Sequence, residues 1–292
     1  MLEKEVVLTR MDQDMALRGF ADSTRSNYQR NARKYLEYSG GKTDAETIRE
    51  FLSHLLDSGL APGSVNMYNA AIRFLLEVTM DVAVNHKRVP RLRETRKLPR
   101  VLSKEDIRRI FARVENLQHR ALLMTIYGGG LRVSEACDLR VRDIDSASMR
   151  IFVEDGKRGK DRYTLLSGVN LDILREYWRA YRPRHPEGWL FLNANGSRSF
   201  CKRVIQNAFA QAHWEAGIQK KATVHTLRSS FATHLLEDGV DFFTVKRLLG
   251  HSDMSSTTRY LGVTEFSCNL KSLLDSMPKK RGRKPKTGMT HG

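Results

Sequence analysis

Residues 85–100 constrain the fold more than any other stretch of this chain. They read Asn-His-Lys-Arg-Val-Pro-Arg-Leu-Arg-Glu-Thr-Arg-Lys-Leu-Pro-Arg, with seven basic residues, one acid and two prolines. Proline stops helices, and like charges packed this densely resist burial, so the stretch is not core. It divides 292 residues into two parts, each long enough to build its own core. The expected organisation is a first domain over 1–84, a basic linker over 85–100, a second domain over 101–277 and a tail over 278–292.

The first part reads as helices. Tyr28, Ala32, Tyr35 and Leu36 recur at helical spacing, and Gly40-Gly41 stops them. Thr43-x-x-Glu46 has the form of a capping box. It opens a helix with Ile48, Phe51, Leu52, Leu55 and Leu56 on one face, ending near Gly59. Ser64 is placed to cap a further helix carrying Val65, Tyr68, Ile72, Leu75 and Leu76.

The second part is mixed. Ser103-x-x-Asp106 predicts a helix start, and a helix over 121–127 runs into Gly128-Gly129-Gly130. Residues 151–153 and 163–166 read as two strands around a polar turn at 154–161. Helices resume near Leu171, break at 183–188 and 193–199, and run over 225–276 with interruptions at Gly239 and Gly250. The expected fold is mainly α: an N-terminal helical domain, then a mixed α+β domain with a small antiparallel sheet. From Pro278 the Lys- and Gly-rich tail has little apolar content and is expected to be disordered.

Fifty Lys and Arg against 33 Asp and Glu leave a net charge of +17. A surplus of that size attracts polyanions, of which nucleic acid is the commonest large one. The plainer alternative is a basic protein that only sticks to anions. The linker divides the same way: it either lies along a phosphate backbone or is a solvated hinge. Cys137, Cys201 and Cys268 are odd in number and far apart, which fits reduced thiols and neither a disulfide frame nor a zinc site. The first residues lack the apolar core of a signal peptide, and no apolar run is long enough to span a bilayer. A cytoplasmic protein is expected.

Three local signals carry chemistry. Gly130-Leu-Arg132-Val-Ser-Glu135 feeds an arginine into a helix start. Its guanidinium offers a fixed fork for two phosphate oxygens, with Glu135 one turn on to orient it. His225-Thr-Leu-Arg228 puts a proton-transfer group and a second fork on one helix face. Leu248-Leu-Gly250-His251 is followed by Ser256-Thr-Thr-Arg-Tyr260. Taken singly, each also reads as a surface ion pair, a solvated stripe or a packing tyrosine. Together, in this order and with a turn lysine, they are the parts for phosphoryl transfer to a tyrosine, where catalysis is mostly positioning and charge stabilisation.

The chain resembles the tyrosine recombinase (phage integrase) family, in its Xer-like, simple two-domain form. Gly129-Gly-Leu-Arg-Val-Ser-Glu135, His225-Thr-Leu-Arg-Ser-Ser-Phe-Ala-Thr-His-Leu-Leu236, Val245-Lys-Arg-Leu-Leu-Gly-His251 and the tyrosine segment carry the resemblance. It implies a core-binding first domain and a catalytic second one. It implies Arg132, Arg228 and His251 on the scissile phosphate, Tyr260 as nucleophile, His225 as its base, and Glu135 in support. Lys157 is the closest match to the family's general acid, with Lys160 as rival. Ser229 and Leu261-Gly262 depart from the commonest pattern at positions that are not catalytic.

The resemblance further implies a 3′-phosphotyrosyl intermediate, with neither ATP nor a metal cofactor, serving integration, excision or resolution of DNA. The implied partners are double-stranded DNA at a core site and other copies of the chain, as a tetramer on two sites. Thr264 is placed to cap a last helix bearing Phe266, Leu270, Leu273 and Leu274, which either packs on its own domain or, as the resemblance implies, docks on a neighbouring copy. The six basic residues of 278–286 would contact phosphates. The competing readings are a catalytically silent DNA-binding protein on the same fold and a topoisomerase of the type IB kind.

Overall fold

The computed structural model describes residues 2–94, 98–154 and 161–250, with Thr257, Thr258 and Tyr260 beyond them. Lys157, Lys160, His251, the helix expected after Thr264 and the basic tail lie outside the described residues. Residues up to 97 form one compact unit and those from 98 a second.

The first unit is built from α1 (Leu2–Leu17), α2 (Asp22–Ser39), α3 (Ala45–Asp57) and α4 (Pro62–Arg73), which runs on into a π-type turn at Phe74–Thr79. Met11, Met15, Tyr35, Ile48, Phe51, Ile72, Leu75 and Leu76 fill its centre. Two helix starts differ from expectation. Asp44, not Thr43, caps α3, its carboxylate accepting from the Thr47 N–H at 2.9 Å. In α4 the chain enters through Ala61 with Pro62 in the first turn, so Ser64 lies inside the helix. Proline needs no partner for a missing N–H there and is already set at a helical φ.

The start of the basic segment is not a free hinge. Val89 is buried, and the backbone of 89–92 runs along α4. The Asn66 side chain donates to the Leu92 carbonyl at 3.0 Å and accepts from the Leu92 N–H at 2.8 Å. Asn69 donates to the Pro90 carbonyl at 3.1 Å, and Arg73 donates to that of Val89. These three side chains, at i, i+3 and i+7, line one face of the helix. Lys87, Arg88, Arg91 and Arg93 remain exposed.

In the second unit, α5 (Lys104–Ala112) starts where expected, and Ser103 and Asp106 there form a capping box. It is followed by α6 (Leu117–Gly128), α7 (Val133–Cys137) and a sheet of β1 (Ile144–Asp145), β2 (Arg150–Val153) and β3 (Arg162–Leu165) in the antiparallel order β1-β2-β3. The two-residue β1 was too short to signal itself in sequence. Then come α8 (Gly168–Tyr181), α9 (Lys202–Glu215), α10 (Val224–Glu237) and α11 (Phe242–Leu249). Ile126, Ile151, Val153, Leu174, Tyr177, Phe191, Phe209 and Leu227 make the main core. A smaller cluster of Phe231, Ala232, Val245, Leu249 and Tyr260 sits between α10 and α11. Cys137 is a buried free thiol and Cys201 an exposed one.

Candidate active site

The site is assembled around one carboxylate. Glu135 lies in α7, with its side chain 8% exposed. Arg132 is the N-cap of that helix: its N–H donates to Glu135 Oε2 at 2.7 Å, and its guanidinium reaches Oε1. With only five residues, α7 adds little dipole field, so the positive potential here comes from side chains. Arg132 is 24% exposed and faces solvent.

Arg228 projects from α10 and is 1% exposed. It donates to the Gly130 carbonyl at 2.6 Å and to the Leu249 carbonyl at 2.6 Å, and lies 3.5 Å from Glu135 Oε2. Burial first, then the neighbouring Arg132 and Arg162, push its pKa down to about 9, which still leaves it charged at neutral pH. Gly130 has φ +60°, and a Cβ there would lie 2.3 Å from the Phe231 ring. The position therefore needs glycine both for its left-handed backbone and for the close approach of α10.

The sequence reading missed a third guanidinium. Arg162, the first residue of β3, pairs in register with Val153 and shares its core-facing side of the sheet. Its Nη1 and Nη2 donate to Glu135 Oε1 and Oε2 at 3.0 and 2.7 Å, and its Nε donates to the Leu248 carbonyl at 2.9 Å. The period-2 alternation of a strand would have placed Arg162 and Thr164 together on the inner face, which was the available signal. Three guanidiniums thus share one carboxylate, leaving a surplus of two positive charges among these four side chains. Such a surplus suits an anion.

Tyr260 is buried against Phe231, Val245 and Leu249, and it is close enough to Arg228 to bear on that residue's ionisation. His225 is exposed in the first turn of α10, one turn before Arg228. His234, further along the same helix, is instead a packed residue: its Nδ1 hydrogen-bonds the Tyr127 hydroxyl at 2.9 Å. The structure therefore brings Arg132, Glu135, Arg228 and Tyr260 into one region.

A helical unit followed by a helical unit with a small antiparallel sheet and a multi-arginine site is an integrase-type architecture. The phage integrase family matches residues 100–265, and its N-terminal SAM-like domain matches residues 7–85. A putative integrase/recombinase of Sinorhizobium fredii is 36% identical over 94% of this chain and 92% of its own length. Tyrosine recombinase XerA of Thermococcus kodakarensis is 34% identical, over 90% of this chain and 93% of its own. Among solved structures, a lambda integrase dimer bound to a core site superposes with a TM-score of 0.70 at 17% identity, covering 88% of this chain and 76% of that one. A XerH recombinase bound to its difH substrate gives 0.68 at 22%, covering 82% and 76%. The chain belongs to the phage integrase family, and within it the enzyme is a tyrosine site-specific recombinase.

Proposed function

We propose that this enzyme cleaves and rejoins DNA at a specific core site through a covalent bond to Tyr260. The carrying observation is the pairing of Arg132 and Arg228 through Glu135, with Tyr260 packed on Phe231 of the same helix and near enough to Arg228 to bear on its ionisation. On this reading Arg132, Arg228 and His251 hold the scissile phosphate and stabilise the charge that builds on its non-bridging oxygens. His225 takes the proton as the Tyr260 hydroxyl attacks phosphorus. The bond from phosphorus to the 5′ oxygen breaks, and Lys157, or Lys160 in its place, protonates that leaving oxygen to give the free 5′-hydroxyl. A 3′-phosphotyrosyl link remains, and a partner strand's 5′-hydroxyl reverses the step. Bond energy is conserved in the link, so ATP is not required. The arginines supply the charge that a metal ion provides elsewhere.

In this reading residues 1–84 are the core-binding domain, 85–100 the linker, 101–277 the catalytic domain and 278–292 a basic tail on phosphates. The solved lambda integrase tetramer on a Holliday junction supports assembly as a tetramer on two DNA sites. The segment from Thr264 would dock on a neighbouring copy. An apolar cavity of about 740 Å³ lined by Ile107, Phe111, Met124, Tyr127, Phe231 and Leu235 is a surface of matching character. No helix among the described residues is long and apolar enough to cross a membrane, and we place the enzyme in the cytoplasm with its DNA. Integration or excision of a mobile element, resolution of a transposon cointegrate and resolution of chromosome dimers are the settings this chemistry can serve.

The test is incubation with nicked suicide duplexes drawn from DNA flanking its own gene. The native chain forms a covalent adduct and Tyr260→Phe forms none; an adduct with Tyr260→Phe overturns the reading. A silent DNA-binding protein would bind these duplexes without an adduct. A topoisomerase would relax supercoiled DNA regardless of sequence. Deleting residues 264–292 should abolish synapsis while leaving cleavage; unchanged synapsis rejects the docking role.

A further inference from the structure

We infer that Arg162 is a positioning residue for strand cleavage, locking the Arg132–Glu135 pair to the C-terminal end of α11. The inference rests on the reading of the site given above and adds to it a group that does not touch DNA.

Arg162 stands on the core face of β3 with its side chain 5% exposed. A charge in that position is expensive unless its donors are met, and an apolar side chain of similar volume would fill the space without that cost. Stability alone therefore does not call for arginine here. The donors are met by a particular set of partners. Two go to Glu135, the carboxylate that also holds both the guanidinium and the N–H of Arg132. The third goes to the Leu248 carbonyl in the last turn of α11. The next carbonyl, that of Leu249, is held by Arg228. Cationic donors on the last carbonyls of a helix satisfy groups that have no helical partner and suit the negative end of its dipole.

Gly250 then ends α11 at φ +63°, directly before His251. A Cβ on Gly250 would lie 2.7 Å from Arg162 Cδ, so the close of α11 at Gly250 leaves no room for a side chain beside the arginine stem. Arg162 also opens β3, two residues after the segment that holds Lys157 and Lys160. One rigid planar fork thus ties β3 to α7, beside Arg132, and to the end of α11; in sequence β3 follows Lys157 and Lys160, and α11 precedes His251. Lysine cannot reproduce this, because it offers one donor centre where arginine offers three.

The test uses the full chain and flanking-DNA duplexes of the kind described above. A native chain that forms no adduct overturns the reading of the site and this inference together; the following outcomes separate the two. Arg162→Lys and Arg162→Met are assayed for single-turnover cleavage at saturating duplex and for duplex Kd. Cleavage slows about tenfold for lysine and about 100-fold for methionine, the scale of loss when reacting groups shift by about 1 Å, while Kd stays native. The methionine variant also gains an acid limb in its pH–rate profile, as Glu135 without its main partner takes up a proton. Combined with Glu135→Gln, Arg162→Met slows cleavage by less than the product of the two single losses, because either change alone already removes the Arg162–Glu135 contact. Native cleavage rates in both variants, or losses that multiply in the double variant, overturn the inference. Should the methionine variant not fold, the lysine variant decides: native rate overturns, and slow cleavage at native Kd supports.

Discussion

Arg162 and Glu135 face each other as a two-point ion pair, both side chains more than nine-tenths covered, on the core side of a three-stranded sheet. The pair joins β3 to α7 and makes Glu135 the shared counter-charge of three arginines. Local geometry, stability and the proposed chemistry therefore meet in one carboxylate.

That carboxylate sets a pH dependence. Burial alone would raise the Glu135 pKa above 4.5, but the hydrogen bonds and charge of Arg162, the Arg132 N–H and the Arg228 charge hold it at about 2. The folded value lies below the unfolded one, so the stabilisation is complete above pH 4.5 and is lost as pH falls toward 2. Its size is on the order of 3 kcal/mol. Denaturant midpoints of the native chain and Glu135→Gln should differ most above pH 5 and converge as pH is lowered to 3. A gap that stays constant over that range removes Glu135 as the titrating group.

Gly250→Ala separates backbone strain from crowding. Alanine at φ +63° costs about 1–2 kcal/mol wherever it occurs. At Gly250 the new methyl also meets Arg162 Cδ, whereas at Gly196, with φ +68°, nothing lies within 4 Å. Thermal melts should therefore show a larger loss for Gly250→Ala than for Gly196→Ala, and only the former should slow cleavage. Equal losses in Tm would mean that Arg162 moves aside freely.

The Tyr127–His234 bond makes a second pH-dependent contact away from the arginines. Burial lowers the pKa of His234 below 6.5. The unfolded chain then binds a proton more readily than the folded one, so stability is lost as pH falls from 6.5 through the folded value. Tyr127→Phe should cost about 1 kcal/mol by leaving the ring nitrogen without its partner. His234→Gln should flatten the stability profile between pH 7 and 5; an unchanged slope would assign that loss to other groups.

The helices were legible because their apolar spacing is local: Ile48, Phe51, Leu52 and Leu55 are buried along α3 as the period requires. Their first residues were less so. Thr43 and Asp44 are both competent caps by residue type, and it is Asp44 whose extended backbone and side chain take the N-cap position. Arg132 and Glu135 were visible as partners because they are one turn apart. Arg162 was not, because Glu135 lies 27 residues before it and Leu248 lies 86 residues after it. A lone basic residue in a short strand carries no mark of partners that distant. The strapped start of the linker was hidden for the same reason: its charge pattern reads as solvated, and the side chains that hold its backbone sit on a helix 16 to 26 residues earlier.

That strap gives the last prediction. Asn66 satisfies both backbone groups of Leu92, as a neighbouring strand would, and Asn69 satisfies the Pro90 carbonyl alone. Both asparagines are buried, so each truncation leaves polar backbone short of a partner. Asn66→Ala should expose the Leu92 N–H to hydrogen exchange and destabilise the first unit by about 1–3 kcal/mol. Asn69→Ala should carry a smaller cost and leave the Leu92 amide protected, because it removes no acceptor from that group. Site-resolved exchange on the two variants distinguishes a strap held residue by residue from one that peels off whole. Equal loss of Leu92 protection in both would show that 89–92 is released as a single cooperative segment rather than residue by residue.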